Sequence, residues 1–136
     1  MPSSTTSSDP VRVLLVDDNE AMLARAAAVL TPACDVIGIA RDGLTAVKAA
    51  RDLRPDVIVL DISMPGMTGL EVAHELRKAR STAAVVFLTV HSEAELIDAA
   101  RAAGGIGYVL KARLASDLPL AVEEARCGRQ FVSSIH

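Results

Sequence analysis

The chain has 136 residues, 51% of them hydrophobic, which is enough for one domain with a real core and too few for two of ordinary size. A formal net charge of -3 leaves no basic footprint for nucleic acid, and no apolar run approaches the length that crosses a bilayer. Residues 1–10, M-P-S-S-T-T-S-S-D-P, have no basic start and no apolar centre; they read as a polar tail, not a signal peptide, which makes the cytoplasm the expected location. Cys34 and Cys127 stand far apart and match no metal spacing, so both read as free, partly buried thiols.

Residues 11–16, V-R-V-L-L-V, form an apolar run that ends at Asp17, Asp18 and Asn19, and they predict a first strand. From Glu20 the apolar positions Met22/Leu23, Ala26/Ala27 and Leu30 recur every four residues, which predicts a helix capped by Asn19 or Asp18 and ended before Pro32. A short second strand over 36–40 precedes an Asp42-Gly43 turn and a helix spaced by Leu44, Val47 and Ala50. Residues 57–60, V-I-V-L, predict a strand buried on both faces, with Asp61 where it ends and the turn-forming M-P-G-M-T-G carrying the chain away. Leu70, Ala73 and Leu76 mark a third helix with Arg77, Lys78 and Arg80 at its end. A strand over 85–89 leads to Ser92-Glu93-Ala94-Glu95, which predicts a helix opened by a capping box. A short strand over 108–110 ends at Lys111, and Leu114, Leu118, Ala121, Val122 and Ala125 space a last helix stopped by Gly128.

Five strands alternating with five helices imply an α/β fold, a doubly wound parallel sheet covered on both faces, with the flavodoxin-like strand order 2-1-3-4-5. In that order the strand ends carrying Asp17-Asp18, Asp61, Thr89 and Lys111 are neighbours in one crevice. Each has a structural reading in isolation: a helix cap, a turn Asp, a strand Thr, a surface Lys. Together they describe chemistry. Three carboxylates held that close repel one another unless a cation sits among them, and an oxygen-only donor set at a solvent-facing rim suits Mg²⁺. A hydroxyl and an ammonium across from them complete a phosphoryl pocket in which Asp61 can attack as a carboxylate nucleophile.

The ordered set V-D-D, L-D-I-S-M-P-G-M-T-G, L-T-V and G-Y-V-L-K resembles a response-regulator receiver domain of the CheY-like superfamily over residues 11–133, with 134–136 left as a tail or the start of a linker. The closing A-V-E-E-A-R-C-G-R-Q-F-V-S-S is similar to the end of receivers of the NarL/FixJ subfamily, which carries LuxR-type outputs. That resemblance implies a two-component signalling protein that is not an enzyme in its own right. It takes a phosphoryl group on Asp61 from a sensor histidine kinase and assists its own phosphoryl transfer and hydrolysis. By the same resemblance Asp17, Asp18, Asp61 and the backbone carbonyl of Ser63 hold Mg²⁺, Thr89 and Lys111 contact the phosphoryl group, and Thr89 with Tyr108 forms the switch. The implied consequence is a homodimer on phosphorylation, or a transcriptional output through a helix-turn-helix domain not present in this chain, with no membrane partner.

The sequence departs from the family pattern at Val90, where a small residue is usual and a branched side chain narrows the route to Asp61, at Thr68 in the loop, and at Ala112 after the lysine. Ser63 and His91 occupy the two variable rim positions that tune hydrolysis in the family. Val90 is the feature that favours the alternative, a receiver-fold interaction module that works without phosphorylation. A phosphohydrolase with an aspartyl nucleophile predicts a second Asp two residues after Asp61, and Ser63 is there instead. His74, His91 and His136 have no His or Cys at ligand spacing and read as solvated, and G-G-I-G at 104–107 precedes a strand, so it does not read as a dinucleotide loop.

Overall fold

The strands leading to the predicted site residues are mainly apolar, exposed Arg12 apart, and the computed structural model shows why: each is sandwiched between helices. It describes residues 9–133, so residues 1–8 of the predicted tail, the 134–136 tail and His136 lie outside it. Asp9 and Pro10 are exposed and belong to no element. The elements in chain order are β1 (Val11–Val16), α1 (Glu20–Leu30), β2 (Cys34–Ala40), α2 (Gly43–Leu53), β3 (Val57–Asp61), α3 (Gly69–Lys78), β4 (Ala84–Thr89), α4 (Ala94–Ala102), β5 (Gly107–Leu110), a 3₁₀ turn (Lys111–Arg113), α5 (Leu114–Arg126) and β6 (Phe131–Val132). All neighbouring strands pair in parallel, in the order β2-β1-β3-β4-β5-β6.

Side chains alternate across the sheet into two cores. On one face Val13, Leu15, Val59, Leu88 and Val109 pack against Leu23 and Leu30 of α1 and Leu114, Leu118 and Val122 of α5. On the other Leu14, Ile58, Leu60 and Phe87 pack against α2, α3 and α4 through Ala46, Val72, Leu76 and Ala100. α5 holds its course through Pro119, a residue that costs a helix interior about 3 kcal/mol. Leu118 and Val122 flank it with no measurable exposure, and burying each contributes about 1.5–3 kcal/mol, so packing outweighs the breaker.

Five strands were expected and there are six. Two residues, Phe131 and Val132, are too short to carry a periodic signal, yet they pair with Gly107 and Tyr108 of β5. What holds β6 is polar. Ser133 is buried: its N–H donates to the Tyr108 carbonyl (2.9 Å), its Oγ accepts from the Leu110 N–H (3.0 Å), and its hydroxyl donates to Asp117 (2.7 Å). Asp117, 4% exposed, also accepts from Arg113 Nε (2.8 Å) and Ser116 Oγ (3.0 Å), and these donors hold its carboxyl below the usual carboxylate range, the Arg113 hydrogen bond most of all.

Three local expectations change. The predicted capping box at Ser92 is absent, because α4 begins at Ala94 and leaves Ser92 one residue outside the cap; Glu93 occupies the cap without a side-chain bond, its carboxylate 3.5 Å from His91 Nδ1. Leu44 is 75% exposed, since Gly43, Ala46 and Ala50 form the buried stripe of α2. Cys127 is exposed, whereas Cys34 is half-buried as read. Thr68 does cap α3: it makes a reciprocal box with Glu71. Replacing Asp117 by Asn, or Ser133 by Ala, removes a buried charge-assisted bond and should lower the unfolding free energy by about 1–3 kcal/mol in urea denaturation at pH 7. The deficit of Asp117→Asn relative to the parent should shrink at acid pH, because the parent loses the stability of its ionised Asp117 as pH falls through the depressed folded pKa.

Candidate functional site

The chain is drawn into one crevice by four strand ends, and the local sequence explains each. Asp17 follows β1; its N–H donates to the Ala40 carbonyl (3.1 Å) and its Oδ1 accepts from the Asn19 N–H (2.9 Å), while Asn19 in turn caps α1 through Met22 (3.0 Å). Asp18, between them, is exposed. Asp61 is the last residue of β3 and only 2% exposed. Its loop folds back so tightly that Gly69 at the start of α3 meets the Asp61 backbone, where a Cβ would lie 2.3 Å from the Asp61 carbonyl oxygen. Only glycine fits there.

Lys111, where β5 turns into the 3₁₀ segment, reaches across with Nζ 3.2 Å from Asp17 Oδ2 and 3.3 Å from Asp61 Oδ1. Asp17, Asp18 and Asp61 each offer a carboxylate oxygen within 4.8 Å of the others. One ammonium against three carboxylates leaves negative charge uncompensated. Burial first, and then the Asp17 charge, push the Asp61 carboxyl up to about 6, against the opposing pull of Lys111 and of the Ser63 N–H at 3.2 Å. Asp17 Oδ2 is buried and, despite its proximity to Lys111, lacks a properly directed hydrogen-bond donor. An orphaned buried oxygen among oxygen-only donors fits a small hard cation.

Thr89 closes β4 beside Asp61, buried, with its Oγ1 accepting from the His91 N–H (3.1 Å). Tyr108 on β5 is 3% exposed, and its hydroxyl donates to the His91 carbonyl (3.1 Å); burial pushes that phenol above its ordinary range, with the Thr89 hydroxyl opposing. The tyrosine thus already occupies the interior. Val90 is 69% exposed, and the Ser63, His74 and His91 side chains are exposed as well. The structure therefore brings together Asp17, Asp18, Asp61 and Lys111, sets Thr89 and Tyr108 on one shared loop, and leaves Ser63, Val90 and His91 at the rim. Two contributors had escaped sequence reasoning. Gly69 was open to detection from the glycine two residues past Met67 in a loop returning to a strand end; the His91 carbonyl, a backbone acceptor, carried no residue-type signal.

The family of the response regulator receiver domain matches residues 13–123. The chain belongs to that family. Among solved structures, this receiver is similar to the signal receiver domain of the response regulator NarL from Mycobacterium tuberculosis, at 30% identity and a TM-score of 0.84 over 89% of this chain and 99% of that one. It also resembles a two-component response regulator of the LuxR family from Aurantimonas sp. SI85-9A1 (28% identity, TM-score 0.84, 90% of this chain and 89% of that one). The response regulator domain of Thermotoga maritima CheB follows at 29% identity and a TM-score of 0.78, over 88% of this chain and 98% of that one. No curated protein sequence matches the receiver significantly.

A carboxyl whose pKa is higher folded than unfolded binds more protons in the folded state between roughly pH 4 and 6, so its contribution to stability falls as pH rises through that window. Replacing Asp61 by Asn should therefore stabilise the metal-free receiver by about 1–3 kcal/mol at pH 7.5. The gain should disappear near pH 4, as measured by chemical denaturation in the presence of a chelator.

Proposed function

We propose that this receiver accepts a phosphoryl group on Asp61 from the phosphohistidine of a sensor histidine kinase, in the cytoplasm, with Mg²⁺ held by Asp17, Asp18 and Asp61 and by the Ser63 carbonyl. The observation that carries this reading is the pair formed by a buried Asp61 and a Lys111 ammonium 3.3 Å away, beside an orphaned Asp17 oxygen. Asp61 Oδ attacks phosphorus, the P–N bond breaks, and the imidazole leaves; with a small donor such as acetyl phosphate a P–O bond breaks and acetate leaves. When bound, the cation offsets the repulsion between the carboxylates and the incoming anion and holds Asp61 ionised at neutral pH. Lys111 supplies the second positive charge and moves from the carboxylate pair toward the phosphoryl oxygens.

Thr89 carries the readout. Its hydroxyl, now occupied by the His91 N–H, turns to donate to the phosphoryl group, and the loop that also accepts from Tyr108 loses one of its ties. Tyr108 is already buried, so the switch on this reading is a loosening and resetting of the 89–91 loop around a tyrosine that is inside from the start. One charge-assisted bond contributes about 1.5–3 kcal/mol, and full switching from 1:99 to 99:1 takes about 5.5. A homodimer contact, or a helix-turn-helix output that regulates transcription, supplies the remainder.

Incubation with acetyl phosphate and Mg²⁺ should add one phosphoryl group by intact-mass spectrometry, and the adduct should be absent in Asp61→Asn and without Mg²⁺. Because the Val90 side chain stands largely in solvent, Val90→Ala should change the rate by about threefold or less. No adduct in either the parent or Val90→Ala after long exposure would establish the phosphorylation-independent interaction module as the better account.

A further inference from the structure

At the opposite end of the sheet from Asp61, a cavity of about 290 Å³ opens between the C-terminal ends of α2 and α3. Its apolar floor includes Val47, Ala50 and Leu76, and its rim carries Arg51, Arg54 and Arg80. No carboxylate lines it, and among the described residues none of these three guanidiniums makes an ion pair or a hydrogen bond.

The backbone singles out two of the three. Arg54 (φ 50°) and Arg80 (φ 60°) are the two non-glycine residues with positive φ among those described, and both line this cavity. A left-handed backbone at a helix end is ordinarily given to glycine or asparagine, because any Cβ there crowds the carbonyl. Both backbones close their helices, the Arg54 N–H donating to the Ala50 carbonyl and the Arg80 N–H to the Arg77 carbonyl (3.0 Å each), but glycine would do this at less cost, so neither cap calls for an arginine side chain. At α2 the Leu53 and Arg54 carbonyls already accept from Arg12 Nη2 (2.8 Å) and Nη1 (2.6 Å). At α3 the Ala79 and Ser81 N–H groups close on the Glu75 and Leu76 carbonyls (3.0 Å each). Complementing the helix dipole needs no strained backbone either, since Arg51 in the last turn of α2 does so from a helical position. What remains for the side chains of Arg54 and Arg80 is the cavity itself.

We infer that this cavity binds a small organic phosphate of about mononucleotide size, its phosphate held in the guanidinium forks and its apolar body on the Val47, Ala50 and Leu76 floor. Arginine suits this ligand class because its planar fork engages phosphate oxygens in pairs and keeps its charge at any physiological pH. The volume, at the low end for ligand pockets, admits one such molecule and not a larger dinucleotide. Nothing in this inference depends on the chemistry of Asp61.

The test is a titration of ¹⁵N-labelled full chain, in metal-free buffer, with adenosine 5′-monophosphate as the probe and with adenosine and inorganic phosphate as controls. The monophosphate should give saturable amide shifts over residues 51–54 and 80–83, with half-saturation below about 10 mM and with each control weaker by about tenfold. Arg51→Gln should weaken binding severalfold, and Arg54→Gly with Arg80→Gly should abolish it while the thermal midpoint holds or rises, because glycine relaxes both left-handed positions. The inference is overturned if the shifts fail to saturate, if they cluster around Asp61, Thr89 and Lys111, or if a control binds as well as the monophosphate. It is equally overturned if the double glycine variant binds like the parent, or if it loses binding together with a lower thermal midpoint, which would assign the arginines to the fold.

Discussion

The repulsion among Asp17, Asp18 and Asp61, bridged by a single ammonium, is the constraint on which the rest of the structure depends. Carboxylates are tolerated this close only where one ion is shared and where the surrounding fold is stable enough to hold them. The sheet meets the second condition by burying its central strands on both faces, with one core under α1 and α5 and the other under α2, α3 and α4. Parallel pairing then aligns the ends of β1, β3, β4 and β5, so a single topological decision places all four charged or polar groups in one crevice. Removing the strand order would scatter the site even if every residue were kept.

Comparison of two buried carboxylates separates structural from chemical roles. Asp61 and Asp117 are almost equally hidden, at 2% and 4% exposure. Asp117 accepts bonds from Arg113, Ser116 and Ser133, so its carboxyl is held below the usual range and the charge is spent in tying β6 to α5. Asp61 has the Ser63 N–H and a shared lysine, and its carboxyl is pushed up to about 6. Burial alone therefore does not mark a reactive carboxylate. The supply of donors and of positive charge does, and at Asp61 it leaves a deficit of the kind a bound cation would offset.

Most of this arrangement was legible in the sequence because it rests on long apolar runs with a polar residue at each end. Val57 to Leu60 followed by Asp61 reads the same way in the chain and in the fold, since a strand buried on both faces needs no partner-specific information. The illegible parts have a common cause: they depend on a backbone group or on a contact distant in sequence. β6 is two residues long and exists through Ser133, which bonds residues 16 and 23 positions away. The start of α4 was misplaced because Ser92 and Glu95 have the right types for a capping box but sit one residue out of phase with the helix. Leu44 was read into the buried face of α2 on its apolarity alone, whereas small residues are what the close approach of α2 to the sheet accepts. Pro119, which the apolar spacing of α5 passes over, is carried within the helix by the buried Leu118 and Val122.

α3 joins the two ends of the molecule. It begins at Gly69, packed against the Asp61 backbone with no room for a Cβ, and it ends one residue before Ala79 and the left-handed Arg80. Ten helical residues span about 15 Å, and their Val72, Ala73 and Leu76 side chains are buried, so the helix moves as a unit or not at all. Any change at Asp61 that displaces the 62–68 loop acts on the first turn of this helix, because the Gly69 N–H is bonded to the Ile62 carbonyl at 2.8 Å. The same displacement would carry Arg80 toward or away from Arg54, the cap of α2, whose carbonyl is anchored separately through Arg12. Ligand binding in the arginine cavity and cation binding at Asp61 would thereby bias one element from opposite ends, and linkage requires that each binding equilibrium then alter the other by the same factor.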